Sequence, residues 1–369
     1  MQAVKHICHC TSVHQLMDVR IFVKECRSLA AAGFRVSLVV AGASDQIIDG
    51  VSIYGVPAAR GRLSRIFSTV DAVVSRALAL KADAYHLHDP ELLRCAGKLL
   101  RSGAKVVYDA HEDLPKQLLA KSYIPSLLRK SLSSAVKLLE KRYAAKLSGI
   151  VCATPIIANR YKAYQPNTIS LCNYPSLEDM PLPVDWSQKS NEVCYIGGIF
   201  KTRGAVEMVK AMTDLQVVKL NLAGSYSPEI LRSELLQLPG WSQVNELGFL
   251  DRNGIRAVLS RSKVGLVVLH PTDSYLEALP VKLFEYMAAG LPVIASDFPI
   301  LKDIVERHHC GICVNPKDPI AIAAAIDYLL SNPGEAAEMG QRGRRAVEQD
   351  YSWNSQSNLL IDFYTKLLS

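Results

Sequence analysis

Apolar residues along this chain fall into short unbroken runs that alternate with segments of helical spacing. In the first half, the runs at 7–10, 36–40, 51–56, 84–88, 105–109, 150–153 and 168–172 predict strands. Helical patterns at 20–32, 63–79, 90–101, 124–147 and 155–164 lie between them. Apolar strands alternating with helices predict a parallel sheet covered on both faces. The segment 176–191 breaks the pattern: Pro181 and Pro183 stand among polar residues just after Pro175, and this predicts a linker. The alternation then restarts. Strands are predicted at 193–196, 218–223, 244–247, 264–269, 292–295 and 311–314. Helices are predicted at 204–212, 228–238, 252–260, 280–289, 300–308 and 319–330, and a last amphipathic helix at 355–368. The chain therefore reads as α/β, with two doubly wound Rossmann-like domains at 1–175 and 192–354. Such sheets bind ligands beyond the carboxyl ends of their strands, so two in tandem predict a central cleft.

Composition changes this picture little. A length of 369 residues suits two domains, and 49% hydrophobic against 21% charged residues is ordinary for a globular chain. No apolar run reaches the roughly 20 residues of a membrane span. The start, MQAVKHICHC, reads as a strand and lacks the apolar core of a signal peptide. The nine cysteines are scattered without a CxxC pair, which suits reduced thiols in a cytoplasm. The net charge of +7 fits a polyanionic ligand or an anionic membrane surface. No basic stripe with interleaved aromatics appears, so nucleic acid is not an expected partner.

The stretch 275–297, YLEALPVKLFEYMAAGLPVIASD, organises the second half. Pro280 stands where a helix can begin. Leu283, Phe284, Met287 and Ala288 give it a buried face, and Gly290 ends it. Glu277 and Glu285 are eight residues apart, which at helical rise is roughly 12 Å. That is too far to share a proton, but it suits the two ends of a long polar ligand. A helix N-terminus between them attracts phosphate. Carboxylates accept hydrogen bonds from sugar hydroxyls, so a diphosphate flanked by two diol-bearing rings fits.

This E-x7-E, followed by YMAAGLPVIASD, resembles the nucleotide-binding signature of retaining glycosyltransferases of the GT-B fold, in the large family 4 group. The resemblance implies two domains facing a cleft, with the last helix, 355–369, crossing back to the first. It implies that Glu277 contacts the donor sugar and Glu285 holds the ribose diol. It places Leu279, Pro280, Val281 and Lys282 at the diphosphate. The turn YIGGIFKTRG (195–204) carries Gly197 and Gly198, where backbone can approach a ligand closely, and Arg203 as a phosphate clamp. The family pattern here is G-R-x-x-x-x-K-G. Gly198 stands at its Arg position and Arg203 at its Lys position, so one clamp is missing. Lys201 and Lys282 are both candidates to replace it. The loops AGSY (223–226) and LGFLDR (247–252) would line base and ribose, with Gly224, Gly248 and Leu250 as contacts.

In the first domain, YDAHED (108–113) ends a strand. The resemblance puts His111 near the sugar-transfer centre; a cap on the next helix is the alternative. His86 and His88 share a sheet face, but no carboxylate or cysteine pattern nearby suggests a metal. Packing is the plainer role, with His88 or Asp89 on the acceptor side as the functional one. The segment 11–25 is similar to the H-x3-D-V-R-I-F-x-K-E start of a subgroup of bacterial polysaccharide glycosyltransferases, on His14, Asp18, Val19, Arg20, Ile21, Phe22, Lys24 and Glu25. Its charges read either as a solvated helix face or as a site in which Arg20 touches acceptor or phosphate.

The function implied is transfer of a sugar from a nucleoside-diphosphate sugar to a hydroxyl of a lipid-linked bacterial surface glycan, without metal or other cofactor. The alternatives are a nucleotide-sugar 2-epimerase of the same fold and a non-catalytic sugar-nucleotide or glycan-binding protein. Between 115 and 147, eight cations face one acid, Glu140. Ile124, Leu127, Leu128, Leu132, Val136, Leu139 and Tyr143 recur there at helical spacing. This pattern fits a helix lying on an anionic membrane, at the inner face if the protein is cytoplasmic; it fits equally a helix whose apolar face is core.

Overall fold

The structure is a computed structural model describing residues 4–58, 61, 65–120, 125–215 and 217–369. It divides into two compact units, Met1–Asn173 with Trp353–Ser369, and Tyr174–Ser352. The first unit contains β1 (His6–Thr11), β2 (Arg35–Ala41), β3 (Gln46–Ile48), β4 (Val51–Val56), β5 (Ala84–Leu87), β6 (Lys105–Ala110), β7 (Gly149–Cys152) and β8 (Thr168–Ser170). They form one sheet in the order β3-β4-β2-β1-β5-β6-β7-β8. Every pairing is parallel except β3 with β4.

Alternation sorts the strand side chains onto two buried faces. Cys8, Cys10, Tyr85, Leu87, Val106, Tyr108 and Ile150 pack on one side. Ile7, Val36, Leu38, Val40, Val107 and Val151 pack on the other, against Phe22, Leu29, Leu360 and Tyr364. The small strand β3 has no apolar run to announce it. It is joined to β4 through Asp49 and Gly50, both at positive φ (49° and 77°). That Asp-Gly pair is a hairpin signal the sequence did carry.

The second unit contains β9 (Glu192–Ile196), β10 (Lys219–Ala223), β11 (Val244–Gly248), β12 (Val264–Val267), β13 (Val293–Ser296) and β14 (Gly311–Val314). Their order is β11-β10-β9-β12-β13-β14, all parallel. The segment read as a linker, 176–191, clusters with this unit. Met180 and Pro181 are buried in it, and the Lys189 ammonium donates to the carbonyls of Ser260 (3.1 Å) and Ser262 (3.0 Å).

The helices relevant to the site are α1 (Ser126–Ala144), α2 (Val281–Ala288), α3 (Pro333–Gln349) and α4 (Trp353–Leu368). α4 packs in the first unit: its Trp353 indole N–H donates to Ser28 Oγ at 2.9 Å, and Gln356 Oε1 accepts from the Cys172 N–H at 2.8 Å. α3 and the helix Leu114–Ala120 were not expected from the sequence pattern. α3 packs against the end of α2, where Arg344 donates to the Ala288 carbonyl. The predicted helix at 20–32 is a π-helical stretch, Val19–Cys26, running into Arg27–Ala31.

Gly204 caps the turn before the helix Ala205–Ala211 with φ +72°, and a Cβ there would lie 2.2 Å from the Val268 carbonyl oxygen. We expect Gly204→Ala to lower unfolding free energy by about 2 kcal/mol or more in urea titrations. Gly334, in the first turn of α3 with open space around it, should tolerate alanine or gain up to about 1 kcal/mol.

Candidate functional site

In the second unit, three strand ends meet in one place. The Gly197 N–H donates to Ala223 O (2.9 Å), Ile199 N–H to Ser225 O (2.8 Å) and Gly224 N–H to Gly248 O (2.7 Å). The turns after β9, β10 and β11 are thus laced together by their backbones. Gly197 takes φ +133°, a conformation open to glycine but rarely to other residues. The Tyr195 hydroxyl donates to Gly198 O at 2.7 Å, and the Tyr286 hydroxyl accepts from the Ile196 N–H at 2.8 Å.

Arg203 leans back over this turn. It donates to the Tyr275 hydroxyl (3.1 Å) and to Gly198 O (3.4 Å), and stacks on Phe200. Lys282, in the first turn of α2, places its Nζ 3.6 Å from the centre of the Tyr195 ring. That Nζ is inaccessible and has no hydrogen-bond partner among the described residues. Burial first, and then the Arg203 charge, hold the Lys282 ammonium well below the usual lysine range. A Cβ on Gly197 would stand 3.1 Å from Lys282 Nζ and 3.9 Å from Arg203 Nη1, so both cations border the same glycine. Lys201 does not join them: it is half-exposed and paired with Glu234.

The N-cap position of α2 is Pro280, whose side chain makes no capping hydrogen bond. Leu279, Pro280 and Val281 are half-buried there, as are Gly248 and Leu250 in the loop after β11. Glu285 lies within α2, but Glu277 belongs to the turn that precedes it. The separation of roughly 12 Å expected from helical rise therefore does not apply, because only one of the pair is helical. His270 pairs with Glu207 at 3.0 Å.

The first unit gathers a second set of polar groups, at the carboxyl ends of β1, β5 and β6. Arg20 is buried and grips Asp109 with two bonds (Nε–Oδ2 2.8 Å, Nη2–Oδ1 2.7 Å), while Nη1 donates to Leu171 O at 2.8 Å. Glu25 lies 3.1 Å from the same guanidinium. Lys24 is also buried and donates to Asn173 Oδ1. The charges of this segment are therefore neither a solvated face nor, for Arg20, an acceptor contact: they are a buried network. His88, expected on the acceptor side, is likewise buried, with its Nδ1 3.2 Å from Asp109 Oδ2. Asp89 is buried too, accepting from the Ser12 N–H (2.5 Å) and Thr11 hydroxyl (3.0 Å).

His111 is the partly exposed member. Its Nε2 lies 2.9 Å from Asp109 Oδ2, and its ring is 5.0 Å from that of His14. It does not cap the next helix; Asp113 does, accepting from the Lys116 N–H at 3.1 Å. Burial alone would raise the Asp109 carboxyl, but the Arg20 charge and the histidines hold it well below the carboxylate range. Asp18 caps the π-helical stretch through the Arg20 (2.9 Å) and Ile21 (3.0 Å) N–H groups. Burial opposes its ionisation, yet the His14 hydrogen bond and these N–H groups bring it to about 2.

Comparison with known proteins agrees with this layout. Residues 19–171 match the model of Glycosyltransferase Family 4, and residues 181–346 that of Glycosyl transferases group 1. The structure is similar to sucrose-phosphate synthase from Thermosynechococcus elongatus, with TM-score 0.78 and 18% identity over 98% of this chain and 99% of that one. The chain has a GT-B fold with two glycosyltransferase domains. Another GT-B structure, Anabaena HepE in complex with UDP-glucose, gives TM-score 0.70 and 15% identity over 98% of this chain and 99% of that one. In sequence, an uncharacterized glycosyltransferase of Methanocaldococcus jannaschii is 26% identical over 47% of this chain and 44% of its own length. The chain spans less than half the length of such curated relatives.

Removing one side of a buried ion pair strands the other, which costs about 3–5 kcal/mol. Arg20→Met should therefore lower the unfolding free energy of this GT-B chain by about that amount, and adding Asp109→Asn should recover part of it. Denaturant titration of the single and double variants checks this.

Proposed function

We propose that this chain is a retaining glycosyltransferase that moves a sugar from a nucleoside-diphosphate sugar to a hydroxyl of a lipid-linked bacterial surface glycan. The observation that carries the reading is the Lys282 ammonium. It is buried without a hydrogen-bond partner among the described residues, beside Arg203, at a glycine turn and in the first turn of a helix whose N-cap is Pro280. A diphosphate supplies the anion that such a place lacks. Lys282 then takes the role of the clamp missing at Gly198. Glu277 serves the donor sugar and Glu285 the ribose. The solved complex of HepE with UDP-glucose supports a donor of this class.

The chemistry is positioning and charge stabilisation. The bond from the anomeric carbon to the diphosphate breaks as the acceptor oxygen bonds that carbon from the same face. The acceptor proton passes to a phosphate oxygen of the leaving group, so configuration is retained. Arg203, Lys282 and the N-terminus of α2 meet the charge that develops on the leaving group, a task that needs no metal at the diphosphate. His111, with its Nε2 proton directed to Asp109, carries its lone pair on Nδ1 for the reacting sugar. The sequence keeps Glu277, Glu285 and Arg203 at the motif positions, which favours transfer over the non-catalytic alternative. Dependence of turnover on an acceptor separates transfer from 2-epimerisation.

Thermal shifts with UDP-, GDP-, ADP- and dTDP-sugars identify the donor, and NMR of the product should show the donor's anomeric configuration. Lys282→Ala and Arg203→Ala should each slow transfer at least tenfold, about 1.4 kcal/mol of barrier, while Lys201→Ala stays near wild type. Glu285→Ala should weaken binding of free nucleoside diphosphate, and Glu277→Ala should chiefly slow transfer. An inverted product, or equal small effects of all these variants, would contradict the reading.

The proposed lipid-linked acceptor gives α1 a role. Lys121 and Ile124 lie outside the described residues, as does the side chain of Leu127. Among the others, Leu128, Leu132, Leu138 and Leu139 are exposed, at 59%, 41%, 68% and 51%. α1 instead packs inward through Ser133, Glu140 and Ala144, with Glu140 held by Arg160 at 2.8 Å. The leucines that could have been core are thus on the surface, among Lys141, Arg142 and Lys146. No helix of the described residues is long and apolar enough to cross a membrane. We expect salt-sensitive binding to anionic vesicles, at roughly 1 kcal/mol per cation near the surface. Sedimentation should show binding weakened by Leu132→Ser with Leu139→Ser and by charge reversal at Lys130 and Lys137. Equal behaviour toward anionic and neutral vesicles would remove the membrane from the account.

A further inference from the structure

Three imidazoles and one carboxylate meet in the interior of the first unit. His9 of β1 and His86 of β5 are partners in the strand register, and His88 follows two residues later. The ring centroids are 4.7 Å apart for His9 and His86, 4.6 Å for His86 and His88, and 5.2 Å for His9 and His88. Glu25, from the π-helical stretch, completes the group. One ligating atom from each of the four lies within 4.8 Å of the others, and all four side chains are buried.

The hydrogen bonds around this group assign the protons of His88 and His9. His88 Nδ1 faces Asp109, an ionised carboxylate, so that nitrogen carries the proton. His88 Nε2 is then an acceptor, and it receives the His9 Nδ1–H at 2.9 Å. The lone pair of His9 is thereby placed on Nε2. The Tyr364 hydroxyl is hydrogen-bonded to Nδ1 of His86 at 2.9 Å, and with the hydroxyl as acceptor the His86 lone pair sits on Nε2. His9 Nε2, His86 Nε2 and both Glu25 oxygens are the atoms of this group left without a hydrogen-bond partner. Two imidazole nitrogens and a carboxylate are therefore buried together without a hydrogen bond among the described residues, the Arg20 guanidinium standing 3.1 Å from one Glu25 oxygen as its ion-pair partner. Burying such atoms uncompensated is costly.

We propose that His9, Glu25 and His86 bind a divalent transition-metal ion, of the zinc type, as a structural site within the first unit. Neutral imidazoles with a carboxylate are a usual donor set for such ions, at ligand distances of about 2.0–2.2 Å. The outer partners are those of a built site, since metal-bound histidines pass their other N–H to a carboxylate or similar acceptor. Here Asp109 orients His88, which orients His9; Tyr364 orients His86; and Arg20 steadies Glu25 at 3.1 Å. The ion would tie β1, β5, the π-helical stretch and α4 to one centre. It is separate from the donor turn, which lies in the other unit, and it does not depend on the transfer reaction proposed above.

The test is the metal content of the 369-residue chain, produced in zinc-supplemented medium and freed of loose metal by chelator washing. We expect about one zinc per chain by elemental analysis, and markedly less in Glu25→Gln and in His9→Gln. X-ray absorption at the zinc edge of the wild-type chain should show a nitrogen and oxygen shell with imidazole scattering, a readout that needs no variant to fold. Wild-type chain holding less than about a tenth of an equivalent, both as purified and after refolding with Zn²⁺, would overturn the site and leave a proton on Glu25 as the neutralising cation. Zinc kept in Glu25→Gln but lost in His111→Gln would also overturn it, by moving the metal to His88, Asp109 and His111.

Discussion

The two-bonded grip of Arg20 on Asp109 sets the architecture of the first unit. The guanidinium comes from the π-helical stretch after β1, and the carboxylate from the end of β6. A buried charge requires a partner of opposite sign and a full set of hydrogen bonds. Asp109 meets that requirement with Arg20, His88 and His111; Arg20 meets it with Asp109, Leu171 O and Glu25. The pair therefore fixes where the stretch after β1 lies across the sheet, and it orients His111, the one partly exposed group attached to it. The same network determines which nitrogens of the inner histidines carry protons.

The donor turn of the second unit presents the opposite condition. Its backbone is laced across the ends of β9, β10 and β11 by three hydrogen bonds. Its charge is not satisfied: Arg203 and Lys282 border one glycine, and burial disfavours the Lys282 ammonium. Where Arg20 and Asp109 balance each other in the first unit, the donor turn leaves a positive spot that a diphosphate would balance. This difference separates residues that hold the fold from residues proposed to hold a ligand.

Much of the fold was legible in the sequence. Strands that are buried on both faces must be apolar without interruption, and such runs stand out from the helical spacing between them. The boundaries moved by a few residues, as at β8, which stops at Ser170. What escaped were elements without that signature. β3 is three residues long and exposed, and α3 carries a narrow buried face of Ala336, Gly340, Gly343, Ala346 and Val347. Small residues give weak apolar periodicity, yet they allow α3 to approach the end of α2 closely: a Cβ at Gly340 would meet the Gly290 carbonyl at 2.1 Å. The burial of Met180, Pro181 and Lys189 within 176–191 was hidden for a related reason, since the Lys189 contacts are to residues distant in the chain.

At the site, the sequence determined the parts that rest on local geometry. The glycine turn at 197–198, the helix start after Pro280, and Glu277 and Glu285 around it follow from φ/ψ preferences and spacing along one short segment. The tertiary structure decided the parts that depend on which charges become neighbours. Lys282 rather than Lys201 stands at the turn, because Lys201 is drawn outward to Glu234. Arg20, Lys24 and Glu25 look like a surface pattern in one dimension and are a buried one in three, because their partners Asp109, Asn173 and the inner histidines lie far along the chain. Spacing shows which side of a helix a charge occupies; only packing shows what that side faces.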